Sequence, residues 1–286
     1  MAACNLCGGT EWETLEAVRD TRVVRCRCGR VFVTPAPPRP AIERAYGAGY
    51  YAPWEDQGKV RARIWRARIQ RVERLRAPPG RLLDVGCGTG AFLHVARLRG
   101  WQVSGTELSP YAVEAAATDG FEVLGGELWE AGLPSEAFDV VTCWHVLEHA
   151  GDPRRLVREM CRVLRPGGWL VLATPNLDDR IFRAAYVLAR GRRPALFEAD
   201  ERELHLYHFS AETLRGLVAS SGLTVVEVGF DRGAAATPGT RFVNGLAYGW
   251  YRLTGRNWGM ALELVALKPG GGAGGAARHE PLHHRA

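Results

Sequence analysis

The chain has 286 residues, of which 47% are apolar and 24% charged, with a formal net charge of +6. That length supports one full core with an appendage or two modest domains, and the balance is that of a globular protein rather than a disordered or fibrous one. No apolar run approaches the roughly eighteen residues of a membrane span, and the N-terminus lacks the apolar centre of a signal peptide, so a cytoplasmic protein without a membrane span is expected. The positive charge suits an anionic substrate. Much of it is arginine on one helical segment, so it does not by itself point to nucleic acid.

Four of the seven cysteines fall in the first 28 residues, as Cys4-Asn-Leu-Cys7 and Cys26-Arg-Cys28. Two tight knuckles of thiolates supply the tetrahedral sulfur set that zinc prefers, and so short a segment has too little core to fold without such a staple. The segment, residues 1–40 with its proline-rich spacer Pro35–Pro40, reads as strand-like and zinc-bearing. Residues 41–80 read as a helical lead-in. Within them Ile64, Trp65, Ile69, Val72 and Leu75 share one face of a helix over 59–76, and the opposite face is basic. The plain expectation for that charge is a solvated face; a phosphate-binding stripe is the alternative.

From Arg81 to about residue 268 strand and helix alternate, which argues for a doubly wound, mostly parallel α/β sheet of seven strands. Apolar strands are expected at 81–85, 101–106, 138–143, 169–173, 223–230 and 260–267. Ser109-Pro110, Asp152-Pro153 and Ser210 read as helix starts, because a short polar side chain caps the first amides and proline fits the first turn. Residues 176–208 interrupt the alternation with an apolar patch ringed by arginine, either a packed insertion helix or a substrate lid. From 269 to 286 the Gly, Ala and His without apolar period read as a disordered tail.

The stretch Leu82-Leu-Asp-Val-Gly-Cys-Gly-Thr-Gly90 sits between a strand and a helix, where glycines let a ligand approach the backbone. A dinucleotide pyrophosphate would be repelled by Asp84. A ligand carrying an ammonium beside a carboxylate suits both the acid and the helix N-terminus. Glu107 ends the next strand, 107 − 84 = 23 residues on, where an acid can accept from ribose hydroxyls.

The motifs "LLDVGCGTG", "GTELS", "FDVVTCWHVLEH" and "RVLRPGGWLVLATPN", in that order, resemble those of a class I S-adenosylmethionine-dependent methyltransferase. The resemblance implies a Rossmann-like fold with S-adenosyl-L-methionine as cofactor. It implies that Asp84, Gly86 and Gly88 line the methionine moiety, that Glu107 holds the ribose, and that Cys87 and Leu108 beside them are cofactor-binding; Cys87 also reads as a core or loop filler. Glu127 and Leu128 fall near the adenine, although Glu127 also reads as a solvated loop acid. Cys143 and Trp144 would approach the donor end. The cysteine segment resembles the zinc ribbon ahead of some methyltransferases that modify sugars, with Cys4, Cys7, Cys26 and Cys28 as ligands; its second knuckle is one residue shorter than the usual pair.

"WHVLEH" admits several roles. A metallopeptidase helix needs both histidines on a helix, yet the motif follows directly from a strand. His149, and after it His145, is the candidate general base. In resemblance to quinone-biosynthesis O-methyltransferases, His145, Glu148 and His149 would instead bind a divalent metal. A purely structural turn is the third reading, and His205 and His208 are reserve candidates for the pocket. The expected function is methyl transfer to a small acceptor, a sugar or other hydroxylated metabolite, anionic or sugar-containing. An RNA-binding methyltransferase and a catalytically degenerate cofactor-binding protein are the alternatives.

Overall fold

The computed structural model describes residues 4, 7–55, 58–197, 204–234 and 237–270. The expected tail beyond 270, and 198–203 within the expected lid, lie outside the described residues. Two sheets carry the chain. The first is antiparallel, in the order β1 (Trp12–Val18), β2 (Thr21–Cys26), β3 (Val31–Thr34) and β9 (Tyr207–His208). The second has seven strands. Its parallel part comprises β4 (Arg81–Val85), β5 (Gln102–Glu107), β6 (Glu122–Gly125), β7 (Phe138–Trp144) and β8 (Leu164–Pro175). The strands β10 (Thr224–Phe230) and β11 (Ala261–Leu267) complete it, in the spatial order β10-β11-β8-β7-β4-β5-β6. Only the pairings of β11 run antiparallel within it.

The parallel strands read as unbroken apolar runs because both faces are covered by helices. Every residue of β7 is buried, and Leu82, Leu83, Val140, Val141 and Leu170 to Leu172 are fully so. Each such side chain contributes about 1.5–3 kcal/mol by leaving water. The covering helices are α3 (Gly58–Glu73), α4 (Ala91–Leu98), α5 (Pro110–Thr118), α6 (Pro153–Val163) and α8 (Ala211–Ala219). Their starts follow local chemistry. The Ser109 hydroxyl accepts from the Ala112 amide, Asp152 accepts from Arg154 and Arg155, and Ser210 accepts from Thr213.

Three features depart from the sequence reading. The proline spacer is shorter than expected, since α1 (Arg39–Ala45) already begins within it and Pro40 occupies its first turn, where a missing N–H costs nothing. Another helix, α2 (Ala48–Glu55), follows within the expected helical lead-in. A long helix, α9 (Pro238–Thr254), links β10 to β11 and packs on α7 (Arg180–Arg190) of the insertion. Finally, the basic face of α3 is not simply solvated. Arg68 is buried against Asp231 at 3.0 Å, and Arg71 bridges Glu263 at 2.8 Å and Glu227 at 2.5 Å.

The two sheets share one core. Phe32 of β3 pairs with Tyr207 and Val31 with His208, and the Val33 amide donates to the Leu206 carbonyl. One apolar cluster therefore runs from Val23, Val24 and Val31 through Phe209 and Leu214 to Leu172 and Leu264.

Candidate active site

Between β4 and β7 the strand order reverses, and at that point an open α/β sheet forms its crevice beyond the carboxyl ends of the strands. There the chain encloses a cavity of about 910 Å³, near the upper end of the roughly 300–1,000 Å³ usual for ligand sites. Asp84, Gly86, Cys87, Gly88, Glu107, Leu108, Glu127, Leu128, Trp144, His145 and His149 all line it.

The glycine loop is shaped by close approach. Gly86 and Gly88 have φ of 70° and 55°, and a Cβ on Gly86 would stand 2.3 Å from Cγ2 of Val146. Asp84, at the cavity wall, is 2% exposed and accepts from the Thr142 hydroxyl at 2.6 Å. Burial raises its carboxyl to about 7, against the downward pull of Thr142 and Arg68. Burial likewise raises Glu107, which accepts from the amides of Gly88 and Ser109 at 2.9 Å each and from the Tyr51 hydroxyl at 3.2 Å. Two buried carboxylates beside a loop that a Cβ would obstruct fit a ligand with an ammonium and vicinal hydroxyls.

Glu127 is half-buried, not a solvated loop acid, and its amide donates to Glu130 Oε2 at 3.1 Å. Cys143 does not face the cavity, contrary to the expectation from its motif. It is fully buried in the core on the opposite side of β7 from Trp144 and lies outside the cavity lining, because successive strand residues face opposite ways. Trp144 does reach the cavity, under the Arg68 guanidinium at 4.5 Å and edge-on to Phe92.

The "LEH" turn follows β7 as a bend, not a helix long enough for a metallopeptidase motif. The Nδ1 of His149 lies 2.9 Å from the Leu204 carbonyl, which can only accept, so Nδ1 carries the proton and Nε2 is the basic nitrogen. That Nε2 stands 3.8 Å from Oε1 of Glu148. Glu148 is 1% exposed; burial opposes its charge, but His145, His149 and His205 hold it down to about 2. His145 is differently placed. Its Nε2 donates to Asp231 at 3.0 Å and its Nδ1 faces Glu148 at 3.5 Å. Burial works against its charge, yet these two carboxylates raise it to about 9, which favours its protonated form. The ligand-capable group assembled here is Glu148, His149 and His205, with His205 in the place expected for His145. Burial drops His208, also in the lining, to about 3.

Thr142, Arg68, Asp231 and Tyr51 reach this network without having been singled out by sequence. Of these only Tyr51 left a local signal, in the Tyr46, Tyr50, Tyr51 cluster whose rings pack edge to edge beside the cavity.

Away from the cavity, the four N-terminal thiols converge. Cys4 Sγ lies 3.8 Å from Cys28 and Cys7 Sγ 3.5 Å from Cys26, with all four within 4.8 Å of one another. For a Zn–S bond of roughly 2.3 Å, tetrahedral ligands stand about 3.8 Å apart. The shortened knuckle therefore still closes a tetrad of zinc dimensions. The Gly9 amide on Cys7, at 3.4 Å, lowers that thiol to about 7.

The profile of the methyltransferase-domain family matches residues 57–228, more than half of the chain. A ubiquinone biosynthesis O-methyltransferase of Thiobacillus denitrificans is 36% identical over 115 residues, covering 37% of this chain and 49% of the relative. Its counterpart from Albidiferax ferrireducens is 32% identical over 145 residues, 47% of this chain and 58% of the relative. The chain thus spans about half the length of the curated relatives it matches. Among solved structures, a S-adenosylmethionine-dependent methyltransferase of Thermotoga maritima superimposes with a TM-score of 0.53 at 21% identity, over 80% of this chain and 98% of that one. A complex of the Haloferax volcanii Trm112 methyltransferase activator with a methyltransferase gives 0.54 at 18% identity, over 77% of this chain and 96% of that one. The switch-point cavity, the glycine loop with its two acids and the matched profile converge on one family: the chain belongs to the class I S-adenosylmethionine-dependent methyltransferases.

Proposed function

We propose that this protein methylates a hydroxyl of a small acceptor, a sugar or other hydroxylated metabolite, with His149 as the general base. The observation that carries the reading is that one cavity holds both the Asp84–Glu107 pair and the basic Nε2 of His149. S-adenosylmethionine, when bound, supplies a methyl group on a positively charged sulfur. Asp84 would meet the ligand ammonium and Glu107 the ribose hydroxyls, with the glycine loop beside them. Nε2 of His149 would take the proton from the acceptor hydroxyl, and the Glu148 carboxylate would stabilise the imidazolium so formed. Most of the acceleration comes from orienting the two reactants.

The curated relatives are named as O-methyltransferases, which supports oxygen as the target. Ion pairing of Arg68 and Arg71 inside the protein removes much of the support for RNA as the acceptor. We propose in addition that the four cysteines hold a structural zinc that staples the N-terminal sheet.

Transfer of a labelled methyl group to a panel of hydroxylated sugars, nucleotide sugars and phenols tests the proposal. The native chain should label one class, and His149→Ala should lower turnover by about 10²–10⁴-fold with cofactor affinity unchanged. A folded His149→Ala enzyme with undiminished turnover would refute the base. Turnover abolished by a chelator and restored by a divalent cation, with Glu148→Ala and His205→Ala equally damaging, would replace the base with a metal. Cofactor binding without transfer to any acceptor would favour a binding protein.

A further inference from the structure

The outer surface of α7 and α9, which pack side by side, carries an unusual amount of apolar area. Leu188 on α7 is 89% exposed, and Phe242, Leu246 and Leu253 on α9 are 70%, 55% and 86% exposed. With Trp250, the residues of α9 recur at steps of four, four and three and so form one stripe of the helix. A single exposed leucine is ordinary, but a row of large apolar side chains at helical spacing marks a surface that is covered in use.

The charge that α7, α9 and the residues just after them carry has one sign. Residues 180–193 and 237–258 contain eight arginines, at 180, 183, 190, 192, 193, 241, 252 and 256, and no Asp or Glu. Asp179, just before α7, pairs with Arg183. Arg190, Arg192, Arg193, Arg241, Arg252 and Arg256 are exposed. Arg180 lies over the Trp258 ring, which stacks on Trp250 at 4.7 Å, so the aromatic and cationic side chains are interleaved. Phe, Leu and Trp bordered by arginine without acids is the pattern of helices that lie in a lipid headgroup layer, where the rings and leucines enter the acyl boundary and the guanidinium groups meet phosphates. No helix of the described residues is long and apolar enough to cross a membrane, so such helices would rest on a bilayer rather than span it.

We infer that α7 and α9 form a docking surface for an anionic phospholipid bilayer. The same α7 contributes Phe182 and Arg183 to the cavity wall, so a docked bilayer adjoins the cavity. This inference is independent of the methyl acceptor, since it stands on the outer face of helices whose exposed residues do not line the cavity.

Co-sedimentation of the full chain with vesicles tests it, using phosphatidylcholine alone and phosphatidylcholine mixed with phosphatidylglycerol. The chain should pellet with the mixed vesicles, far less with the neutral ones, and be released by raised salt. The pair Phe242→Ser and Leu253→Ser should weaken binding at least about tenfold, and Arg192→Gln with Arg193→Gln should reduce it toward the neutral-vesicle level. All four side chains are exposed, so both variants should keep their melting temperature and their binding of S-adenosylhomocysteine, which shows that the fold survives. Failure of the native chain to bind the mixed vesicles, or equal binding by the serine variant, would overturn the inference. Self-association in solution that the serine variant abolishes, without vesicle binding, would overturn it in favour of a protein interface.

Discussion

His145 Nε2 and Asp231 Oδ2 stand 3.0 Å apart and join the end of β7 to the end of β10 across 86 residues of chain. Asp231 also takes Arg68 at 3.0 Å and the Gly233 amide at 2.7 Å, so one 2%-exposed carboxylate bridges two basic side chains from different elements. Its partner His145 has a left-handed φ of 55° that a non-glycine residue seldom adopts. Removing one partner of a buried ionic group leaves the others charged in a dry place, which is where such networks are costly to break.

Asp231→Ala should therefore destabilise the protein by about 3–5 kcal/mol in chemical denaturation. A loss below about 1 kcal/mol, the range of surface pairs, would show that water reaches Arg68 and His145 and that the bridge holds nothing together.

Cofactor affinity should depend on pH through Asp84. Its carboxyl, raised to about 7 by burial, is ionised above that pH and protonated below it, and the ligand ammonium pairs with the ionised form. Binding of S-adenosylhomocysteine should be level above about pH 7 and weaken as the pH falls, toward about tenfold per pH unit. Glu107, also raised by burial, adds to the loss in the same direction. Asp84→Asn should bind weakly and lose most of the slope; a variant that keeps the native slope would move the dependence to another group.

Metal analysis should find about one zinc per chain bound by Cys4, Cys7, Cys26 and Cys28. Cys4→Ser should release it and lower the melting temperature, because β1 to β3 share their core with Phe209 and Leu214. Protein prepared without chelator that contains no zinc would refute the site despite its dimensions.

What the sequence made legible was local. The caps at Ser109, Asp152 and Ser210 act over three residues, and the glycine loop carries its own conformational signature, so both could be read directly. The pairing of Tyr207 with Phe32 and the bridge from Arg68 to Asp231 depend on residues far apart in the chain, and no periodicity records them. Arg68 illustrates the difficulty: an arginine on the polar side of an amphipathic helix is normally solvated, and only the distant Asp231 makes it a buried one. Cys143 was misplaced for a simpler reason. It neighbours Trp144 in sequence, but the pleat of β7 sends the two side chains to opposite faces. The helix α9 escaped because glycines at 239, 245 and 249 and polar interruptions dilute its apolar stripe, although Thr237-Pro238 gives it a proper start.

The most direct measurement is a calorimetric titration of the full chain with S-adenosylhomocysteine, which carries the ammonium, carboxylate and ribose that Asp84, the glycine loop and Glu107 are arranged to meet. Binding at one site should be seen, Glu107→Ala should weaken it by about 1–3 kcal/mol, and NAD should bind far more weakly because Asp84 repels its pyrophosphate. No binding of S-adenosylhomocysteine, or NAD binding as tightly, would contradict the assignment of this cavity.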